Sequence, residues 1–384
     1  MRTICAVTTG RSDYGILTPV LREIEASELL KLQLIVTGAH LSQLHGNTVQ
    51  AVDADGFEIA ERADMLLSDD TPRAISKSMG IGIMALADAY ARVQPDWVLV
   101  AGDRFEALAA VTAALPFAIP VAHMHGGEVT EGAVDNQIRH AITKMSHLHF
   151  VATELSAERV IQMGEEPRRV VVTGAAALDS LRSTTLLPRA DLEIRLGLSL
   201  NPAPVVVTYH PVTLEYESSE RDATQLVRAL ASVDRPIVIT ASNADTYNSR
   251  INAVLQAFAD SRANAVIVDS LGSHLYFSLL ACAAVMVGNS SSGIIEGPSF
   301  LLPVVNIGAR QAGRERAANV IDVPPERNAI EVGLEQALSD GFVAGLKGLR
   351  NPYGEGIAAA AIVKTLSEIT MGTISRKRDW LAAP

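Results

Sequence analysis

Two cysteines in 384 residues are too few for a disulfide framework. Cys5 sits in an apolar strand-like run and Cys282 in an apolar helix-like run, so both are expected as buried reduced thiols in a reducing compartment. Aromatic residues make up only 4% of the chain, so its 48% hydrophobic content is carried mostly by Ala, Val, Leu and Ile in short runs. Positive charge is scarce too, with 32 Lys and Arg against 43 Asp and Glu and a net charge of −11. That balance argues against a nucleic-acid backbone or an anionic membrane as partner, since either requires a positive face. No apolar run approaches the roughly 18 to 20 residues that span a bilayer. From Met1 and Arg2 the chain runs directly into a strand-like segment, without the apolar stretch and cleavage site of a signal peptide, and a cytoplasmic location is expected.

What is present is alternation. The length exceeds the roughly 250 to 300 residues at which one core stops growing, which predicts two domains. Thr3–Thr9 reads as a buried strand, Gly10–Gly15 as a loop, Ile16–Ala26 as a helix and Leu32–Thr37 as a second strand. The series continues with strands Trp97–Ala101, Pro120–Met124, Leu148–Ala152 and Val170–Thr173, separated by helices Phe105–Leu115, Asn136–Met145 and Leu155–Met163. The pattern thins after Gly174, which predicts a domain junction at 174/175. It resumes with strands Val205–Tyr209, Ile237–Thr240, Ala265–Val268, Ala284–Val287 and Val304–Ile307, with helices Asp222–Ser232, Thr246–Phe258 and His274–Ala283 between them. Strand–helix repetition of this kind gives parallel sheets with right-handed crossovers, hence two doubly wound α/β domains. Glu355–Glu368 is helical in period and precedes the basic residues Arg376, Lys377 and Arg378.

In open parallel sheets ligands sit beyond the carboxyl ends of the strands, so the loops there are read first. Gly10-Arg11-Ser12-Asp13-Tyr14-Gly15 combines glycines, a helix start and an arginine capable of bidentate phosphate contact, or is merely a structural turn. It is neither the dinucleotide fingerprint nor a Walker loop. Gly288-Asn289-Ser290-Ser291-Ser292-Gly293 brings consecutive hydroxyls to a helix start, where an anion fits, and Glu296 follows within a turn as an acceptor for ribose hydroxyls; ordinary capping by one serine is the plainer alternative.

Gly102-Asp103-Arg104-Phe105-Glu106 follows one strand, and His123-Met124-His125-Gly126-Gly127-Glu128 ends the next, with Asp135, Arg139 and His140 shortly after. Asp103, Glu128 and Asp135 therefore crowd one sheet edge. Crowded carboxylates raise one another's pKa, so one can serve as acid while another serves as base. The pair His123 and His125 could instead ligate a metal, but the glycines after His125 indicate that the strand stops there and the rings diverge, so no metal is expected. His147 and His149 repeat the spacing, and one of them is expected to pack structurally. His210, fixed in extended backbone by Pro211, is directed off the end of its strand to meet a ligand, or is a satisfied structural histidine, and Arg310 supplies a cation after another strand.

Taken together these segments resemble the hydrolysing UDP-N-acetylglucosamine 2-epimerases of sialic acid biosynthesis and their relatives that make legionaminic acid precursors. The carriers are Thr9–Gly15, Gly102–Ala107, Gly126–Thr130, Ile138–Lys144, His210–Thr213, Gly288–Gly293, Asn306–Gln311 and Asn351–Gly356, in order along essentially the whole chain. The resemblance implies two Rossmann-like domains facing a cleft in the GT-B manner, with a C-terminal helix, about 365–384, crossing back to the first domain. It implies Arg11, Ser12, His210, Asn243, Ser290, Ser291, Glu296 and Arg310 around UDP and Leu271 beside the uracil. Asp103, Glu128 and Asp135 then fall at the family's catalytic carboxylates, with Arg104 beside them. The stretch Glu128–Asp135 runs one residue longer than the family pattern.

The reaction implied converts UDP-N-acetylglucosamine and water to N-acetylmannosamine and UDP by elimination and rehydration, without a cofactor. The same reaction on the 2,4-diacetamido-2,4,6-trideoxy sugar is the alternative, ahead of a glycosyltransferase of the same architecture or a non-catalytic nucleotide-sugar sensor. The expected partners are the nucleotide-sugar and further copies of the chain, as a homodimer or homotetramer.

Overall fold

The computed structural model describes residues 1–43, 46–69, 71–129, 134–210, 216–240, 248–268 and 271–370. Among the described residues the chain forms two compact units, the first comprising Met1–Glu128, Val134–Asp179 and 353–370, the second Ser180–Pro352 together with Val129. Among the described residues no helix is long and apolar enough to cross a membrane.

The first unit holds strands β1 (Arg2–Thr8), β2 (Leu30–Thr37), β3 (Ile59–Ala63), β4 (Trp97–Ala101), β5 (Val121–Met124), β6 (Leu148–Val151) and β7 (Val170–Val172). They form one parallel sheet in the order β3-β2-β1-β4-β5-β6-β7. Between them run α1 (Arg11–Glu25), α2 (Val49–Ala54), α3 (Pro72–Val93), α4 (Phe105–Ala114), α5 (Val134–Met145) and α6 (Glu154–Gln162), and α7 (Ala177–Ser183) follows β7 across the boundary between the units. Alternation along β1 divides the core: Ile4 and Ala6 face α1, packing with Leu17, Val20 and Leu21, while Cys5 and Val7 face α3 and α4, packing with Leu86, Tyr90 and Ala110. Each fully buried aliphatic side chain here contributes about 1.5 to 3 kcal/mol.

The second unit repeats the plan with α8 (Arg189–Leu196), β8 (Val205–Thr208), α9 (Tyr216–Leu230), β9 (Ile237–Thr240), α10 (Asn248–Asp260), β10 (Ala265–Val268), α11 (Gly272–Cys282), β11 (Val285–Gly288), α12 (Ser292–Ile295), β12 (Val304–Ile307), β13 (Val320–Val323), α13 (Arg327–Ala337) and α14 (Asp340–Gly345). Its parallel sheet has the order β10-β9-β8-β11-β12-β13. In each sheet the strand order reverses beside the first strand, between β1 and β4 and between β8 and β11. Loops leaving those strand ends diverge to opposite faces and open a crevice.

Several expectations need correction. Gly10–Gly15 is not a loop: helix α1 begins at Arg11 with Gly10 as its N-cap, because the Asp13 carboxylate accepts from the backbone N–H of Thr9 and Gly10, both at 2.7 Å. The sequence reading passed over α3, whose 22 residues include Gly80 and Gly82. A Cβ on Gly82 would stand 2.7 Å from Met65 Cε and 3.3 Å from Ala109 Cβ, so the glycine serves close helix packing rather than breaking the helix. It also passed over β3, β13, α13 and α14. Cys5 is buried as expected, and burial pushes its thiol pKa up; Cys282 is only half-buried, at the last position of α11.

The last helix among the described residues is α15 (Ala358–Glu368), where a helical period was expected over Glu355–Glu368; most of the expected crossover helix, 371–384, lies outside the described residues. The apolar positions Ala359, Ile362, Val363 and Leu366 of α15 join the α1 side of the first core. The chain segments that leave and re-enter the first unit are tied together. Ala175 N–H donates to Tyr353 O at 2.7 Å, and the Asp179 carboxylate caps α15 through the N–H groups of Ala358 and Ala359, at 3.0 and 2.7 Å. These bonds keep 175–179 and 353–359 with the first unit, which leaves off at Asp179 and resumes at Tyr353.

Candidate functional site

At the first unit's switch point, β4 ends in Gly102, whose φ of +77° turns the chain sharply. Asp103 and Arg104 follow, and Arg104 is the N-cap of α4. Beneath them lies His123 of β5, fully buried, with Nε2 2.7 Å from the Gly102 carbonyl. A carbonyl only accepts, so Nε2 carries the proton. Burial lowers the pKa of His123 to about 3 and keeps the ring neutral. His123 is therefore a strut under the Asp103 turn.

Strand β5 stops at Met124, and His125 adopts φ +64°, turning its ring away from that of His123. His125 Nδ1 lies 2.7 Å from Glu128 Oε1. Gly127, at φ +76°, lets the chain press on α6; a Cβ there would meet Ser156 O at 2.2 Å. That approach carries the chain to Glu128, which is buried at 6% exposure. From α5, Arg139, at 3% exposure, reaches both sides of the cluster: Nη2 donates to Asp103 Oδ2, and Nη1 donates to the Glu128 carbonyl at 2.6 Å. One guanidinium thus fixes two of the three expected carboxylate residues relative to each other.

Asp135 lies in the first turn of α5. Its side chain reaches solvent, yet the protein around it and, second, the Asp103 charge raise its pKa, against the opposing charges of Arg104 and Arg139. Arg104, expected as a ligand-binding residue, is engaged by Glu106, which is wholly buried and takes Nε and Nη2 at 3.1 and 2.9 Å. Burial raises Asp13 to about 6, against the Thr9 and Gly10 N–H groups and the Arg104 charge. Arg11 and Ser12 stand exposed in the first turn of α1.

Of the other histidines, His147 Nδ1 accepts from Val121 N–H at 3.2 Å, and His149 Nε2 lies 3.1 Å from buried Glu165, which also pairs with Lys144 at 2.8 Å. Both are structural, one more than expected. Among the described residues no group of three or more His, Cys, Asp and Glu is placed to hold a metal ion.

The second unit's switch point is built from amides and hydroxyls. Gly288, at φ +138°, lies so close to β8 that a Cβ would stand 1.9 Å from Thr208 O. Ser290 and Ser291 lead into α12, with Ser291 as N-cap and Ser290 Oγ accepting from Ser292 N–H at 3.3 Å. Ser292 Oγ accepts from the Tyr276 hydroxyl at 2.9 Å. Glu296 closes α12, and Leu271 caps α11 while packing on the cluster of Leu279, Met286 and Val304. Burial first, and then the charge of Arg310, lower His210 to about 3, so it is neutral. Asn243 lies outside the described residues, as do Pro211 and the basic tail residues.

Each unit therefore gathers its own set of the expected residues: Arg11, Ser12, Asp103, Arg104, Glu128 and Asp135 in the first, His210, Leu271, Ser290, Ser291, Glu296 and Arg310 in the second. No holding role was expected for the residues that position them: Asp13, Glu106, His125 (weighed only as a metal ligand) and Arg139 (noted only beside Asp135) in the first, Asn289 and Gln311 in the second. Only Asp13 had a usable signal, an acidic residue three positions after a helix N-cap.

The family model described as UDP-N-acetylglucosamine 2-epimerase matches residues 22–367. The chain is 38% identical over 379 residues, 98% of each sequence, to GDP/UDP-N,N'-diacetylbacillosamine 2-epimerase (hydrolyzing) of Campylobacter jejuni. It is 38% identical over 371 residues, 97% of each, to UDP-N,N'-diacetylbacillosamine 2-epimerase (hydrolyzing) of Legionella pneumophila. Its fold resembles that of the UDP-GlcNAc 2-epimerase from Neisseria meningitidis solved bound to UDP-GlcNAc, with a TM-score of 0.81 at 20% identity, covering 95% of this chain and 99% of that one.

Proposed function

The chain belongs to the UDP-N-acetylglucosamine 2-epimerase family, and on that premise we propose that it is a hydrolysing 2-epimerase of a UDP-linked 2-acetamido sugar. The observation that carries this reading is the guanidinium of Arg139 binding both the Asp103 carboxylate and the Glu128 backbone at a sheet switch point. Elimination and rehydration need two proton-transfer groups held at fixed separation, and this arrangement supplies them.

In the first step a carboxylate removes the C2 proton, the C1–O bond breaks with its electron pair leaving on the diphosphate, and a C1=C2 double bond forms. Water then adds its oxygen to C1, and C2 receives a proton on the opposite face, giving the free 2-epimer and UDP. Glu128 and Asp103 carry the proton transfers. Asp135, raised by the protein around it and by the Asp103 charge, keeps the three carboxyl groups from ionising together. In the second unit Ser290, Ser291, Arg310 and neutral His210 are the donors suited to the leaving diphosphate.

The two relatives at 38% identity both have a diacetylbacillosamine substrate in their names. They support UDP-N,N'-diacetylbacillosamine as substrate ahead of UDP-N-acetylglucosamine, the reverse of the order expected from sequence. Proton NMR of the purified protein with each donor in turn tests the choice. The expected result is release of a 2-epimerised free sugar and UDP, faster from the diacetamido donor. Equal inertness towards both would refute the reading.

A further inference from the structure

We infer that Asn289 is the positioning residue of the second unit's anion site, locking three strand ends so that His210, the serines and Arg310 act as one rigid receptor for a nucleoside diphosphate. The inference rests on the proposed nucleotide-sugar function and names the device that makes its binding half work.

Asn289 is fully buried directly after Gly288. Its side-chain amide clasps the backbone of His210 through both ends: Oδ1 accepts from His210 N–H at 2.7 Å, and Nδ2 donates to the His210 carbonyl at 2.8 Å. Its backbone N–H donates to Thr208 O at 3.1 Å. Its own carbonyl accepts two side chains from beyond β12, Arg310 Nη1 at 3.0 Å and Gln311 Nε2 at 2.9 Å. Gln311 is itself buried, at 2% exposure. Loops after β8, β11 and β12 thus meet at one residue, and Ser290 follows it immediately. Paired amide bonds to one backbone unit define its position and tilt, which a single bond does not. Preorganisation of this kind lowers the ordering cost of binding a charged ligand.

The inference separates from a plain structural role through Arg310. Replacing Asn289 by Ala removes both bonds to His210 but leaves the backbone carbonyl that Arg310 and Gln311 use. If the amide merely fills space, Arg310 keeps its full contribution to binding. If it fixes the loop, the carbonyl shifts and Arg310 loses its alignment.

The experiment is a double-mutant cycle on UDP binding, read by calorimetry on the full chain with Asn289→Ala, Arg310→Ala and the double variant. Thermal unfolding of each variant confirms that it is folded. Each single substitution is expected to weaken UDP by about tenfold or more, and Arg310→Ala to cost threefold or less in the Asn289→Ala background. Equal costs of Arg310→Ala in both backgrounds, or unchanged UDP affinity in Asn289→Ala, would overturn the inference while leaving the function intact. Absence of UDP binding by the wild-type protein would overturn the nucleotide reading and this inference with it. Should Asn289→Ala not fold, Gln311→Ala takes its place in the cycle, because it removes one of the two braces on the same carbonyl. It is then expected to reduce the cost of Arg310→Ala, and unchanged cost would overturn the inference.

Discussion

The two units share one strand order at their sheet centres but present opposite chemistry at the strand ends. The first gathers carboxylates and arginines, with Arg139 spanning Asp103 and Glu128 and Arg104 clasping Glu106. The second gathers amides and hydroxyls around a neutral histidine, with Arg310 braced on a backbone carbonyl. A parallel sheet fixes where a ligand binds and leaves open what is done to it, since the strand-end loops are free to differ. Proton transfer needs groups that titrate against one another, whereas holding a permanent anion is best done by donors that do not titrate.

The largest expected effect contrasts the glycines that begin the two edges. Gly288→Ala puts a Cβ 1.9 Å from Thr208 O, and the backbone of two paired strands cannot give way. The variant should lose more than about 4 kcal/mol and fail to fold its second unit. Gly102→Ala meets nothing within 4 Å and suffers only its positive φ. It should cost about 1 to 2 kcal/mol, measured by urea unfolding. Comparable losses in the two variants would contradict the difference in packing.

Next come the carboxylates. Glu128→Gln and Asp103→Asn should each cut turnover about 100-fold or more, with UDP affinity nearly unchanged in calorimetry. The second edge should respond the other way round. Arg310→Ala or Ser290→Ala should weaken UDP by about 1 to 3 kcal/mol, because a charge-assisted or anion-directed hydrogen bond is lost. If both variants bind UDP normally, the serine loop is not the diphosphate site.

The smallest effect is the acid response. His123 and His210 have folded pKa values near 3, below the ordinary 6.5, so the stability each contributes is complete above 6.5 and is lost as pH falls towards 3. Between pH 7.5 and 5.5 each neutral buried histidine should cost about 1.4 kcal/mol of stability. Asp13 works with the opposite sign. Raised from 3.8 to about 6, it contributes stability below 3.8 that is lost as pH rises through 6. His123→Leu should therefore show a shallower fall in urea midpoint between pH 7.5 and 5.5 than the wild type. An unchanged slope would mean that His123 is not the buried neutral strut described.

Much of this was readable in the sequence, for physical reasons. Strands buried on both faces leave continuous Val, Ile and Ala runs, and the runs at Leu148–Ala152, Val170–Thr173 and Val205–Tyr209 correspond to strands β6, β7 and β8. Helix α3 was illegible because its helix–helix contact is made by Gly82, a residue that by itself argues against a helix. The start of α1 was misread because the box that begins it uses a glycine cap with Asp13. That Asp103, Glu128 and Asp135 gather at one sheet edge was legible, because each follows the carboxyl end of one of two neighbouring strands. Their partners were not: Arg139 lies 36 positions from Asp103, and Asn289 lies 79 from His210. No periodicity links residues so far apart, and only the folded sheet brings them together.

The most direct test of the proposed function, elimination of UDP and rehydration with exchange of the C2 proton, is turnover in deuterium oxide followed by proton NMR. Elimination and rehydration predict solvent deuterium at C2 of the released 2-epimer from its first appearance, with Glu128→Gln slowing release without altering UDP affinity. Retention of the original proton at C2 would contradict the account.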